Sequence, residues 1–262
     1  MQDLNTIYFE GPDGTGKTSI IESLRPILTG AALPVMHVRE PGGILYHTGN
    51  LDTPELLPSL RQTILQEKLR SVMKEGNYSR DPLVTALMMQ AARVETANVI
   101  EEWCDAQGCG GVVLSDRSKL STIVYQSLLA PADRRVPMDT LRQLLGMPSR
   151  LTRWSCFPRS HRRYVLVYGQ LRAEDHDALA AGHRYSDVEA AYREACDHIP
   201  DAKRRDTIVL DFSGVERPPA ETIALGLTAL LGRDIREAAV ARYGNQVEQA
   251  YREIKGAVSR LD

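Results

Sequence analysis

The residues most committed to chemistry form the run Gly11-Pro-Asp-Gly-Thr-Gly-Lys-Thr18, which fits the pattern G-x-x-x-x-G-K-[ST]. Gly11, Gly14 and Gly16 free the backbone to curl, so that successive N–H groups, those of Thr15 and Ser19 among them, face inward on phosphate oxygens. The helix expected to follow directs its N-terminal partial charge at the same anion. Lys17 is placed to reach the β- and γ-phosphates, and Thr18 to ligate Mg²⁺. These residue types at this spacing call for ATP with Mg²⁺; a chance glycine turn is the alternative. The motif says nothing of the group that accepts the phosphoryl.

Two further clusters supply candidates for the acceptor side. Asp116 and Arg117 stand at the end of a buried run, 110–115. A carboxylate there holds Mg²⁺ or orients an attacking oxygen, and a guanidinium offers a planar fork to a phosphate. An Asp-Arg pair capping the next helix is the plain alternative. Arg39 and Glu40 close a second strand-like run, where open α/β sheets bind ligands; a solvated turn remains the other reading. Asp13, inside the loop, is either an acceptor contact or a turn residue that hydrogen-bonds locally.

These residues need strands that end together. Residues 6–10, 34–39, 110–115, 164–168 and 207–210 read as strands. Residues 18–28, 54–74, 81–104, 185–197 and 219–231 read as helices, with a further helix running to residue 129. At the end, 233–261 carries Ile235, Ala239, Tyr243, Val247, Tyr251, Ile254 and Val258 at steps of three and four, which predicts one long helix with one packed face. Strands alternating with helices predict an α/β fold, a mostly parallel sheet with helices on both faces.

The composition is that of an ordinary globular protein, with 43% apolar and 25% charged residues and a formal net charge of -2. No apolar run approaches the roughly 18 residues that span a bilayer. The short polar start is not that of a signal peptide. Four cysteines without a C-x-x-C pair are expected to be reduced thiols, and the location cytoplasmic.

The ordered motifs resemble thymidylate kinases. Phe9-Glu-Gly-Pro-Asp-Gly-Thr-Gly-Lys-Thr18 is similar to their opening and Arg39-Glu-Pro-Gly-Gly43 to their second-strand motif. Leu87-Met-Met-Gln-Ala-Ala-Arg93 occupies the place of their base-binding helix. Leu114-Ser-Asp-Arg-Ser118, followed by Ser121 and Tyr125-Gln126, resembles their third-strand D-R-Y motif and the S…Y-Q beyond it. The resemblance spans residues 5–126, weakens over 164–231 and is absent elsewhere. It implies a P-loop kinase fold and a small-molecule nucleotide acceptor. Asp13 then contacts the acceptor sugar, Arg93 faces the acceptor base, and Tyr125 and Gln126 close the same pocket. It also implies a lid-like segment at 170–187, within one kinase domain expected over 1–231; the C-terminal helix, 232–262, follows outside the resemblance.

The chain departs from that family at three places. Met89 stands where thymidylate kinases carry a phenylalanine that stacks on thymine. The third-strand motif ends in Ser118, and D-R-S also resembles the E-R-S of deoxynucleoside kinases, whose glutamate base Glu40 would match. The lid-like segment offers only Arg172 and Arg184 to the transferring group, and the loop itself has no arginine. A helical, arginine-rich insertion, 131–163, holds eight arginines against two aspartates, interleaved with Trp154 and Phe157. It reads as a solvated hairpin, as a substitute lid, or as a surface for DNA.

The leading expectation is a kinase of a pyrimidine deoxynucleotide. One alternative is a kinase of a hydroxyl, on a deoxynucleoside or on a hydroxymethyl pyrimidine in DNA. The other is a nucleotide-binding protein without catalysis. No membrane partner is expected, and the C-terminal helix leaves a homodimer open.

Overall fold

The computed structural model describes residues 4–40, 43–48, 68, 81–107, 110–146, 160–169, 183–198 and 207–260. The strands are β1 (Leu4–Glu10), β2 (Val35–Arg39), β3 (Gly43–His47), β4 (Val112–Asp116), β5 (Ser160–Tyr168), β6 (Thr207–Asp211) and β7 (Val258–Arg260). They form one seven-stranded sheet in the order β3-β2-β4-β1-β5-β6-β7. Every pairing from β2 to β6 is parallel, and β3 and β7 add antiparallel edges.

The described helices are α1 (Lys17–Gly30), α2 (Pro82–Gln107), α3 (Lys119–Ile123), α4 (Met138–Gly146), α5 (Tyr185–Ala195), α6 (Ala220–Leu227), α7 (Arg233–Tyr243) and α8 (Asn245–Ile254). A π-helical turn, Val124–Leu128, continues α3. Both faces of the sheet are covered, as the β1 side chains show. Ile7 and Phe9 enter one core with Ile20, Ile21 and Leu24 of α1 and Ile223 and Leu227 of α6. Tyr8, on the opposite face, packs with Leu120, Tyr164 and Tyr192 and stacks on Tyr164 with ring centroids 4.9 Å apart. Parallel strands buried on both sides need near-continuous apolar sequence, which Val112–Leu114 of β4 and Tyr164–Tyr168 of β5 supply.

The arrangement brings the carboxyl ends of β1, β2 and β4 side by side. In register, Asp116 lies level with Phe9 on one neighbour and Arg39 on the other. β4 runs one residue beyond the expected end at Ser115: Asp116 is the last strand residue.

The C-terminus differs from the single long helix expected. It breaks at Gly244 (φ 58, ψ -133) into α7 and α8, and then turns into β7, which pairs with β6. The apolar period of three and four runs straight across the break, so periodicity alone does not reveal it; glycine adopts the positive φ without a Cβ clash. The packed face of α8 lies on α6 of the same chain. A Cβ on Gly226 would sit 2.8 Å from the Ala250 carbonyl oxygen, so only glycine admits α8 that closely. The apolar face of the C-terminal segment thus packs within the domain.

The helix expected over 54–74 lies outside the described residues except Lys68. The arginine-rich insertion is only partly described. Arg162 and Arg163 belong to β5, and Arg163 donates to Asn5 Oδ1 at 3.2 Å. Arg134 pairs with Asp133, and Arg142 with Asp139. Arg150, Arg153 and Arg159 lie outside the described residues. No helix among the described residues is long and apolar enough to cross a membrane.

Candidate active site

The phosphate loop leaves β1 at Glu10 and enters α1 at Lys17. Gly11, Gly14 and Gly16 all take positive φ (132°, 73° and 75°). At Gly11 a Cβ would meet the Val167 carbonyl oxygen at 2.3 Å, so the curl needs glycine for space as well as for angle. Thr15 Oγ1 donates to the Pro12 carbonyl at 2.9 Å and braces the turn. Lys17 is buried; its Nζ donates to the carbonyls of Gly11 (2.9 Å) and Pro12 (2.6 Å) and lies 3.9 Å from Asp13. Burial pushes the Lys17 ammonium down to about 8, and the Arg117 charge adds to the effect against Asp13 and Asp116. Ser19 is exposed on the first turn of α1.

Asp116 is the node between the loop and the second strand. Its Oδ2 accepts from Thr18 Oγ1 at 3.0 Å and from Arg39 Nε at 3.3 Å. A hydroxyl and one carboxylate are the hard oxygen donors that Mg²⁺ takes from protein, beside phosphate oxygens and water.

Arg117 is a non-glycine residue in the left-handed region, with φ 75°. The backbone is clamped there: its N–H donates to the Phe9 carbonyl at 3.0 Å, and its carbonyl accepts from Ser115 Oγ at 2.7 Å. The cost of the conformation is accepted in order to aim a side chain. The guanidinium donates to the Asp13 carboxylate, to Ser121 Oγ (3.1 Å) and to Tyr192 OH (2.8 Å). Asp13 and Arg117, separate candidates in sequence, are thus one ion pair.

Arg93 and Glu40 form a second pair. Arg93 Nε donates to Glu40 Oε2 at 2.6 Å; its Nη2 donates to the Ser118 carbonyl (3.2 Å) and Thr122 Oγ1 (2.5 Å), and its Nη1 to Gln90 Oε1 (3.4 Å). Burial raises the Glu40 carboxyl and Arg93 pulls it back. Glu40 N donates to the Asp116 carbonyl at 3.0 Å, which joins this pair to the Asp116 node. Met89 is half-buried on the same helix. Tyr125 and Gln126 are both buried in the π-helical turn, a distortion that recurs at functional sites. Tyr125 packs edge-on against Tyr192 and lies 5.7 Å beneath the Arg117 guanidinium.

Three contributors escaped sequence reading. Glu10, wholly buried, accepts from Ser118 Oγ (2.5 Å) and Ser121 Oγ (2.7 Å), and burial lifts its carboxyl to about 7. It stands in the quoted Phe9-Glu-Gly run, so its position was legible although its partners were not. Tyr192 meets Arg117 from α5, with no local signal. Arg217, in the loop after β6, donates to the Thr15 carbonyl at 2.6 Å and to the Gly169 carbonyl at 3.3 Å. Of the two lid arginines, Arg184 stands apart from this cluster, its side chain 84% exposed and paired with Asp187; Arg172 lies outside the described residues.

No protein-family model matches the chain. Among curated proteins, a thymidylate kinase of Bacillus velezensis is 25% identical over 214 residues, covering 78% of this chain and 91% of that one. A thymidylate kinase of Halalkalibacterium halodurans is 32% identical over 121 residues, 46% of this chain and 48% of that protein. The crystal structure of a thymidylate kinase from Ehrlichia chaffeensis superposes with a TM-score of 0.57 at 19% identity, over 87% of this chain and 100% of that one, and shows the fold. The chain is thymidylate kinase-like in both sequence and fold.

Proposed function

We propose that the chain is an ATP-dependent nucleoside monophosphate kinase, which transfers the γ-phosphoryl of ATP to the phosphate of a pyrimidine deoxynucleotide, thymidine monophosphate by likeness to its relatives. The observation that carries this reading is the convergence of Lys17, Thr18, Arg39, Asp116 and Arg117 at the ends of three adjacent parallel strands, linked through Asp116 and Asp13.

In this reading the loop N–H groups and Lys17 hold the triphosphate. Phosphoryl transfer needs positioning and cationic charge on its equatorial oxygens more than covalent chemistry. Lys17 meets that charge from the loop side. Thr18 and Asp116 would hold Mg²⁺, which would supply positive charge against the phosphates. Arg39 and Arg117, both braced by carboxylates, offer their guanidinium forks to the acceptor phosphate. An acceptor phosphate is already ionised at neutral pH, so the site needs no general base.

That last point weighs against the hydroxyl alternatives. A hydroxyl acceptor asks for a free base, and Glu40 is held by Arg93 at 2.6 Å. The test is an acceptor panel with labelled ATP: free nucleosides, nucleoside monophosphates, and DNA containing thymine or hydroxymethyluracil. Label should enter the monophosphate. Label in a nucleoside or in DNA instead contradicts the reading.

A further inference from the structure

Gln90 lies on α2 three residues before Arg93 and is 5% exposed. Its Oε1 accepts from Arg93 Nη1, while its Nε2 is buried with no hydrogen-bond partner among the described residues. Chemistry fixes which way the amide faces. A guanidinium only donates, so the carboxamide turns its oxygen to Arg93 and its NH2 away. Both amide hydrogens are then buried and unmet, an expensive state unless something accepts from them.

Arg93 itself has little left to offer a ligand. Nε is committed to Glu40, both Nη2 hydrogens to Ser118 and Thr122, and one Nη1 hydrogen to Gln90. A guanidinium carries about five N–H donors, so a single one remains. The pair therefore presents hydrogens only, two from Gln90 and one from Arg93. It sits beside the transfer centre, because Arg93 also holds the Ser118 carbonyl, directly after Arg117.

Resting on the function proposed above, we infer that Gln90 is a specificity-determining residue for the acceptor base. Its Nε2 donates to a ring carbonyl oxygen, so the site takes keto pyrimidines and turns away an amino pyrimidine, whose exocyclic NH2 would face donors with a donor. A site built to hydrogen-bond a substrate group rejects an analogue lacking it far more strongly than an apolar pocket does. Met89 beside it gives an apolar contact and no discrimination of this kind.

The test compares thymidine monophosphate with deoxycytidine monophosphate as acceptors, in steady-state kinetics and by calorimetric titration without ATP. Gln90→Leu removes the donors at similar size. It should raise KM and Kd for thymidine monophosphate roughly tenfold or more, with kcat and KM for ATP little changed. Gln90→Glu keeps the size and the contact to Arg93 but replaces NH2 by an acceptor oxygen. It should raise the ratio of kcat/KM for the cytosine over the thymine nucleotide at least about tenfold. If Gln90→Leu folds poorly, the Gln90→Glu ratio decides alone. An active wild type whose acceptor constants and base ratio are unmoved by both variants overturns the inference and leaves the proposed function standing. A wild type inert toward both nucleotides contradicts the proposed function and this inference with it.

Discussion

Thr18 Oγ1 donates to Asp116 Oδ2 across 3.0 Å, although the two residues are 98 apart in sequence. The contact joins the first turn of α1 to the last residue of β4, and it places the two oxygen donors suited to Mg²⁺ side by side. Asp116→Asn keeps the shape but removes the negative charge that Asp116 offers to the metal and to Arg39. Turnover should fall by about two orders of magnitude, as on loss of a principal electrostatic contact. Metal-free nucleotide binding, measured by titration, should stay close to wild type. Intact turnover with intact Mg²⁺ dependence would reduce Asp116 to a brace for Thr18 and Arg39.

The buried Lys17 titrates near 8, below the ordinary lysine range. The free protein therefore loses the loop cation as the pH passes about 8. Bound triphosphate brings negative charge and moves the group back up. So kcat/KM for ATP should decline above about pH 8 while kcat holds to higher pH. Parallel declines of both constants would show that the lysine charge is not what the nucleotide requires.

Glu10 gives a stability prediction with the opposite sign from a salt-bridged carboxylate. Its carboxyl titrates at about 7 in the fold against an ordinary 4.5, because burial penalises the anion. Between those two values the folded state holds a proton that the unfolded chain has released, so stability falls as pH rises from 4.5 to 7 and is flat above. The full effect is on the order of 3 kcal/mol. Glu10→Gln removes it, so the melting temperature of the variant relative to wild type should climb between about pH 5 and about pH 8. Melting curves that stay parallel across that range contradict a strained anion at Glu10.

Arg93 and Glu40 hold each other in a nearly closed environment. Arg93→Ala strands a buried carboxylate and should destabilise by about 3–5 kcal/mol. Adding Glu40→Gln should restore part of the loss, with a coupling of about 0.5–3 kcal/mol in the double-mutant cycle. Additive effects in denaturant titration would mean that the pair is not an interacting unit. It follows that Arg93→Ala alone is a poor probe of acceptor binding, and Gln90 is the better one.

Local signals were legible and long-range ones were not. The phosphate loop announces itself because its glycines, lysine and threonine are fixed at short spacing by one turn and one helix start. Asp116 and Arg117 were found because a buried apolar run ends there. The ion pair of Arg117 with Asp13, and the serine bonds to Glu10, span 104, 108 and 111 residues and leave no pattern along the chain. The same holds for Tyr192 and Arg217. Edge strands β3 and β7 are short, and β7 continues a helical period, so only pairing with β2 and β6 makes them strands. Gln90 stood in a quoted motif, yet its meaning depends on which atoms Arg93 has already spent.

The central claim is that this site moves a phosphoryl group onto a phosphate. Phosphorus NMR of equimolar ATP and thymidine monophosphate with Mg²⁺ and the purified protein tests it most directly. The resonances of two nucleoside diphosphates should grow in step as both reactants decline, and the spectrum should not change with Lys17→Ala. Consumption of ATP to inorganic phosphate alone, or a mixture that stays unreacted with the wild-type protein, would contradict it.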